Sequence, residues 1–201
     1  LTDSITNLNN LSTARKLASS ESMGKLLGIG SGQDAISALF GYVADSNNPE
    51  NYSRLQKAAE RLSQDKPELY SDFLILQKAL NTNVANAQNA MKNQTDLRSA
   101  LVATTFPNVA MPQTAVVKLL DLLASQTMTD ARLAHFRLSD QSINIDPNRF
   151  MNSDEVKRIM QQNEQHKFDI LNNKFMKETR PTDLYSVDSI YRPFPAQTNP
   201  Q

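Results

Sequence analysis

The run Gly28-Ile29-Gly30-Ser31-Gly32 is the part of this 201-residue chain that looks most like a ligand loop, and phosphate would be its natural ligand. A dinucleotide fingerprint needs a strand before the glycines, and a P-loop needs Gly-Lys-Ser/Thr at the start of the following helix. Here Met23 to Leu27 reads as helix, and Gln33 stands where the lysine belongs. The spacing therefore predicts a hinge or a close helix approach, not a nucleotide cradle. Gly24 and Gly28 form a small-xxx-small pair of the kind that packs membrane helices. Lys25 and Asp34 interrupt that region, so membrane contact is not expected except through residues 23–43.

The histidines, His135 and His166, fall in separate helical segments. Neither has a second histidine or a carboxylate four residues away, so neither begins a helix-borne metal site. His166 sits in the wholly polar run Gln161 to Lys167 and is expected to be a solvated surface group. His135, beside Phe136, is expected to be half-buried. Cysteine is absent, which removes disulfides, thiolate ligands and a Cys nucleophile together. No Gly-x-Ser-x-Gly elbow is present. No catalytic, cofactor-binding or metal-ligating residue is assigned, and no cofactor or small-molecule substrate is expected. Sequons at Asn10, Asn51 and Asn93 matter only in a eukaryotic secretory setting.

The C-terminal stretch carries a different chemistry, that of apolar contact. Tyr185, Val187, Ile190, Tyr191 and Phe194 are set among Pro193, Pro195 and Pro200. Aromatic residues are uncommon in a purely solvating tail. The expectation is an extended, non-helical arm whose five apolar side chains dock on a neighbouring subunit or back on the body, with a disordered tail as the alternative.

The elements that must carry these residues read as helices throughout. All five glycines lie between Gly24 and Gly41, so the rest of the chain lacks the residue that most readily makes tight φ > 0 turns. Prolines mark the breaks instead. Short helices are expected from Asp3, after Gly32 and from about Asn51 to Leu62, with Ile36, Leu39, Phe40 and Val43 along one inward face. Pro67 suits the first position of a longer helix. Leu69, Leu76, Ala90 and Leu97 on one heptad register, and Phe73, Leu80, Ala87 and Leu101 on the other, predict a single rod of roughly 35 residues, on the order of 50 Å. Asn83 and Gln94 are its polar exceptions. Thr114 opens the next helix, with a kink or restart near Thr127 to Asp130, and the two long helices are expected to pair as an antiparallel hairpin. Asn152 and Glu155 resemble a capping box for a last helix with Val156, Ile159, Met160, Ile170, Leu171 and Phe175 inward.

The fold class is therefore all-α, an elongated bundle on a long hairpin. Its expected divisions are 1–65 (short helices and glycine hinge), 66–139 (hairpin), 140–180 (connection and helix) and 181–201 (tail). Lys plus Arg equals Asp plus Glu at 21 each, so no bulk charge drives capture of nucleic acid or anionic lipid. Nineteen asparagines and fourteen glutamines outnumber the carboxylates, a polar surface with little charge that suits protein interfaces. No 18-residue apolar run exists. The chain begins at Leu1, which fits a processed or partial product.

The Leu8 to Leu27 stretch, a serine-rich turn followed by Met23-Gly24-x-Leu26-Leu27, together with the Ala/Gln-rich helices, resembles the pilus-tip minor subunits of bacterial type IV secretion systems. The tail has no counterpart there. The resemblance implies a non-catalytic subunit of a secretion or conjugation apparatus, placed outside the cytoplasm and partnered by other protein subunits. A structural or ejected helical protein of a virus or phage particle shares the same features. A cytosolic adaptor or chaperone would instead present an apolar groove to a client helix, and an enzyme without a motif would need a pocket with converging polar groups.

Overall fold

Side-chain caps and prolines start several of the helices. In the computed structural model, which describes residues 1–28, 30–93, 112–139, 147–178 and 181–192, no strand occurs among the described residues. After α1 (Thr2–Ala18), the Ser20 hydroxyl accepts from the Met23 amide and opens α2 (Glu21–Leu27). Next comes α3 (Ser31–Ala44). Asn48 accepts from the Glu50 amide at 3.0 Å and opens α4 (Pro49–Asp65). Pro67 opens α5 (Pro67–Asn81), which is followed by α6 (Val84–Asn93) and α7 (Gln113–Ser139). A short α8 (Pro147–Asn152) precedes α9 (Asp154–Leu171). The cap of α9 is Ser153, one residue later than the predicted Asn152, with its hydroxyl accepting from the Val156 amide at 3.3 Å. Two single-turn helices, α10 (Thr182–Tyr185) and α11 (Asp188–Tyr191), end the described chain.

The predicted rod over 67–104 is interrupted at Thr82-Asn83. Both side chains turn back on the helix that precedes them. Thr82 Oγ1 donates to the Lys78 carbonyl at 3.0 Å, and Asn83 Nδ2 donates to the Ala79 carbonyl at 2.8 Å. Such bonds compete with helix continuation. Asn83 is buried and exchanges two amide hydrogen bonds with Asn7 of α1, at 2.9 and 3.1 Å. The polar exception in the heptad is thus a pin between α1 and the α5–α6 corner. Leu69, Phe73, Leu76, Leu80 and Ala87 are buried as expected, whereas Leu97 and Leu101 lie outside the described residues.

The hairpin partner also changes. α7 packs chiefly against α1 and α9, while α5 packs against α1, α2, α3 and α4. α1 takes the place expected of α5. Within α7 no restart occurs near Thr127, and Thr129 Oγ1 donates to the Ser125 carbonyl at 2.9 Å within the unbroken helix. One continuous core runs from Leu8 to Ile190.

The glycine run serves packing. Gly30 has φ 124°, a conformation that strains any other residue. A Cβ on Gly32 would lie 2.5 Å from the Leu26 carbonyl oxygen, so the start of α3 sits against the end of α2 at a separation only glycine allows. Gly24, in contrast, faces open space within α2. Gly32→Ala is expected to lose about 1–3 kcal/mol in urea denaturation, and Gly24→Ala to gain roughly 0.4–1 kcal/mol.

Candidate functional site

The C-terminal segment, predicted to be extended, forms two helical turns laid on the body. Pro181 and Pro193 bracket it, and the residues between contain no proline to prevent helix. Leu184, Tyr185 and Ile190 are buried against α7 and α1, and Val187 is half-buried on the same core. Tyr185 and Ile190 are therefore core residues of this chain. Tyr191 stays half-exposed, its ring edge-on to His135 with centroids 4.9 Å apart, and His135 is half-buried as expected. Phe194 lies outside the described residues.

A buried polar cluster fixes that segment. Arg15 of α1 donates through Nε to Asp121 Oδ1 of α7 at 2.8 Å and through a terminal nitrogen to the Phe175 carbonyl at 2.8 Å. Its other terminal nitrogen meets the Ser19 hydroxyl. The Tyr185 hydroxyl donates to the same Asp121 Oδ1 at 2.8 Å. Arg15 and Asp121 are both fully enclosed. Burial pushes the Asp121 carboxyl up, against the pull of Arg15 and the Tyr185 hydroxyl. Burial, and then the Asp121 charge, push the Tyr185 hydroxyl well above its ordinary value. With no opening to solvent, the cluster is a clasp joining α1, α7, the turn after α9, and α10.

A second cluster lines a cleft of about 200 Å³ at the other end of the segment, with Arg132, His135, Phe136, Glu155, Tyr191 and Arg192 among its walls. Arg132 donates to the Ser189 carbonyl through two nitrogens, at 2.9 and 2.7 Å, and to the Gln162 side chain. Its guanidinium is thus a strut for α11.

His166 departs from its predicted solvated role. It is buried, as are Asn163 and Asp169 on the same helix. Two buried polar groups beside it find partners: Ser125 Oγ donates to Asn163 Oδ1 at 2.9 Å, and Asp169 takes Lys174 at 2.9 Å and Gln165 at 3.0 Å. Burial, the largest effect, holds the His166 imidazole below its ordinary range. Between the lowered folded value and the ordinary 6.5, the unfolded chain binds more protons than the folded one. His166 therefore costs no stability above that range and progressively destabilises the fold as pH falls through it. His166→Gln is expected to flatten the dependence of the urea midpoint on pH below 6.5, measured against wild type.

The outer face of α9 carries the surface that sequence reasoning misplaced. Met160 and Leu171, predicted inward, are 44% and 38% exposed, and Phe168, not assigned at all, is 63% exposed. Ile170 and Phe175 are buried as predicted. Met160, Gln161, Glu164, Gln165 and Phe168 line a shallow groove of about 590 Å³. A neighbouring groove of about 450 Å³ runs between α6 and α9, with Leu122 and Leu123 of α7 on its floor and Asn86, Asn89, Asn93 and Gln126 among its walls. The recoverable signal was the spacing of Met160, Phe168 and Leu171, which fall on one helix face distinct from that of Val156, Ile159 and Ile170.

A third groove, beside α4, holds Arg54, Lys57 and Arg61 against Asp34 and Glu50, and Arg61 lies 3.6 Å from both Asp34 and Asp65. Three cations facing two lining carboxylates leave little net charge to hold a phosphate backbone. Among the described residues no three His, Asp or Glu side chains gather as metal ligands, and no helix is long and apolar enough to cross a membrane. No family model, curated protein or solved structure matches this chain.

Proposed function

We propose that this chain is a non-catalytic subunit of a larger protein assembly, and that it meets its neighbour through the outer face of α9. The observation that supports this reading is Phe168, a phenyl ring left 63% exposed between Met160 and Leu171 on a helix whose opposite side already packs into the core. Clustered exposed apolar side chains rimmed by polar groups are characteristic of protein docking surfaces, and single ones are not. Aromatic and methionine side chains are also the types enriched in such contacts. The groove beside it adds the amides of Asn86, Asn89, Asn93 and Gln126 as hydrogen-bonding groups next to Glu164 and Lys167. The finer reading, a minor subunit at the tip of a secretion or conjugation pilus, is supported by the resemblance of the Leu8–Leu27 stretch and the Ala/Gln-rich helices.

A photo-crosslinking amino acid placed at residue 168 in producing cells tests the reading. Adducts to a polypeptide at residue 168, absent when the probe replaces exposed Ser53 on α4, are expected. Equal labelling at both positions, or none at 168, would remove the proposal.

A further inference from the structure

We infer that the occupant of the α9 face is a second copy of this chain, packed antiparallel about a twofold axis that passes between Gln165 and His166. This deepens the docking reading above and rests on it. At 100° per residue, Met160, Glu164, Lys167, Phe168 and Leu171 fall within an arc of about 100°, the width of a packing stripe. Met160 is 44% exposed and Leu171 38%, and they stand at the two ends of the stripe. Glu164 and Lys167 are 69% and 38% exposed and stand between them.

The order of these residues reads the same way from either end in chemical terms. Reversing a copy about the point between Gln165 and His166 sets Met160 opposite Leu171 of the copy and Glu164 opposite Lys167 of the copy. Both pairings share one midpoint, so a single register satisfies the apolar and the charged residues together. A parallel arrangement would align Glu164 with Glu164 and Lys167 with Lys167. An antiparallel register centred on Glu164 would also face that carboxylate with itself. Like charges brought together at an interface oppose it, so charge selects the first register from the three. Phe168 then falls opposite the Met160–Glu164 turn of the copy and covers apolar surface on it. Lys157, the further cation on this face, falls opposite Lys174 of the copy, a cation already held by its own Asp169 at 2.9 Å.

A twofold interface needs a self-complementary patch, because each contact is made twice. Within one chain Lys167 Nζ already lies 2.7 Å from Glu164 Oε1. In the dimer the four charges form a closed ring of alternating sign. The α6–α9 groove, which shares Glu164 and Lys167 with this seam, extends the contact on either side of the helix pair.

Sedimentation equilibrium on the full chain tests this, using Glu164→Lys, Lys167→Glu and an equimolar mixture of the two. Wild type is expected to dimerise with concentration. Each single variant turns both interchain pairs repulsive and is expected to raise the dimer Kd by on the order of tenfold. The mixture is expected to form a heterodimer at near wild-type affinity, because each variant supplies the charges the other lacks; intrachain pairing cannot be restored by mixing. Both residues are exposed, so unchanged circular dichroism melting curves will show that the variants fold. A wild-type chain that stays monomeric at high concentration overturns the inference, as do variants that dimerise like wild type or a mixture that fails to recover. A monomeric chain that still crosslinks from residue 168 to a different polypeptide overturns the second-copy inference and upholds the docking reading. A monomeric chain with no adduct overturns both.

Discussion

Arg15→Ala is expected to destabilise the fold by about 3–5 kcal/mol, the cost of leaving one member of a buried ion pair without the other. For a domain of this size that corresponds to a fall in Tm of roughly 6–20 °C. The magnitude follows from the enclosure of the pair. Asp121 is fully buried, its Oδ1 takes Arg15 and Tyr185, and its Oδ2 has no partner among the described residues. Without Arg15 the carboxylate keeps one hydrogen bond, from Tyr185, and loses its counter-charge, while the Phe175 carbonyl keeps only the Glu178 amide as donor. The clasp therefore does more to specify an arrangement than to add net stability. The double replacement Arg15→Met with Asp121→Leu is expected to recover most of the loss, since well-packed apolar residues often match a buried pair. Urea denaturation of both variants against wild type checks the two halves of the argument.

Tyr185→Ala is expected to cost a similar amount, about 3–5 kcal/mol, by opening a cavity where a 1% exposed ring fills the junction of α1, α7 and α10. Tyr185→Phe separates the ring from the hydroxyl. It keeps the packing and removes one of the hydrogen bonds to Asp121, for an expected loss of about 1–3 kcal/mol. If the segment were instead an arm held by another molecule, neither change would alter the stability of the isolated chain.

Much of the fold was legible because it rests on local chemistry. Pro67 starts a helix for a reason that needs no knowledge of the tertiary structure, and the glycine run reads as close packing because its neighbours lack the partners of a phosphate loop. The failures share a different cause. A heptad tolerates Asn83 as a polar exception, but it cannot show that the amide finds Asn7 seventy-six residues away, where the helix ends. The same blindness hid His166 and Asn163. A polar residue reads as exposed until its buried partner is known, and Ser125 lies on another helix. The C-terminal segment was read from its prolines, which bracket the helical turns without entering them. Of its apolar residues, Tyr185 and Ile190 are buried, Tyr191 is half-exposed and Phe194 lies outside the described residues, and sequence alone cannot say that the surface under Tyr185 and Ile190 is the chain's own. The α9 face was hidden by the converse error, in which Met160 and Leu171 were assigned to a core already filled by Val156, Ile159 and Ile170.

Residues 182–191 pack into this chain's own core through Leu184, Tyr185 and Ile190. Hydrogen exchange across that segment, followed through a dilution series of the purified chain, tests it most directly. The amides of Ser186, Ser189 and Ile190, bonded to the carbonyls of Thr182, Ser186 and Val187, are predicted to exchange slowly at every concentration. Exchange at the rate of an unstructured peptide once the protein is dilute would show instead that the segment is held by another molecule.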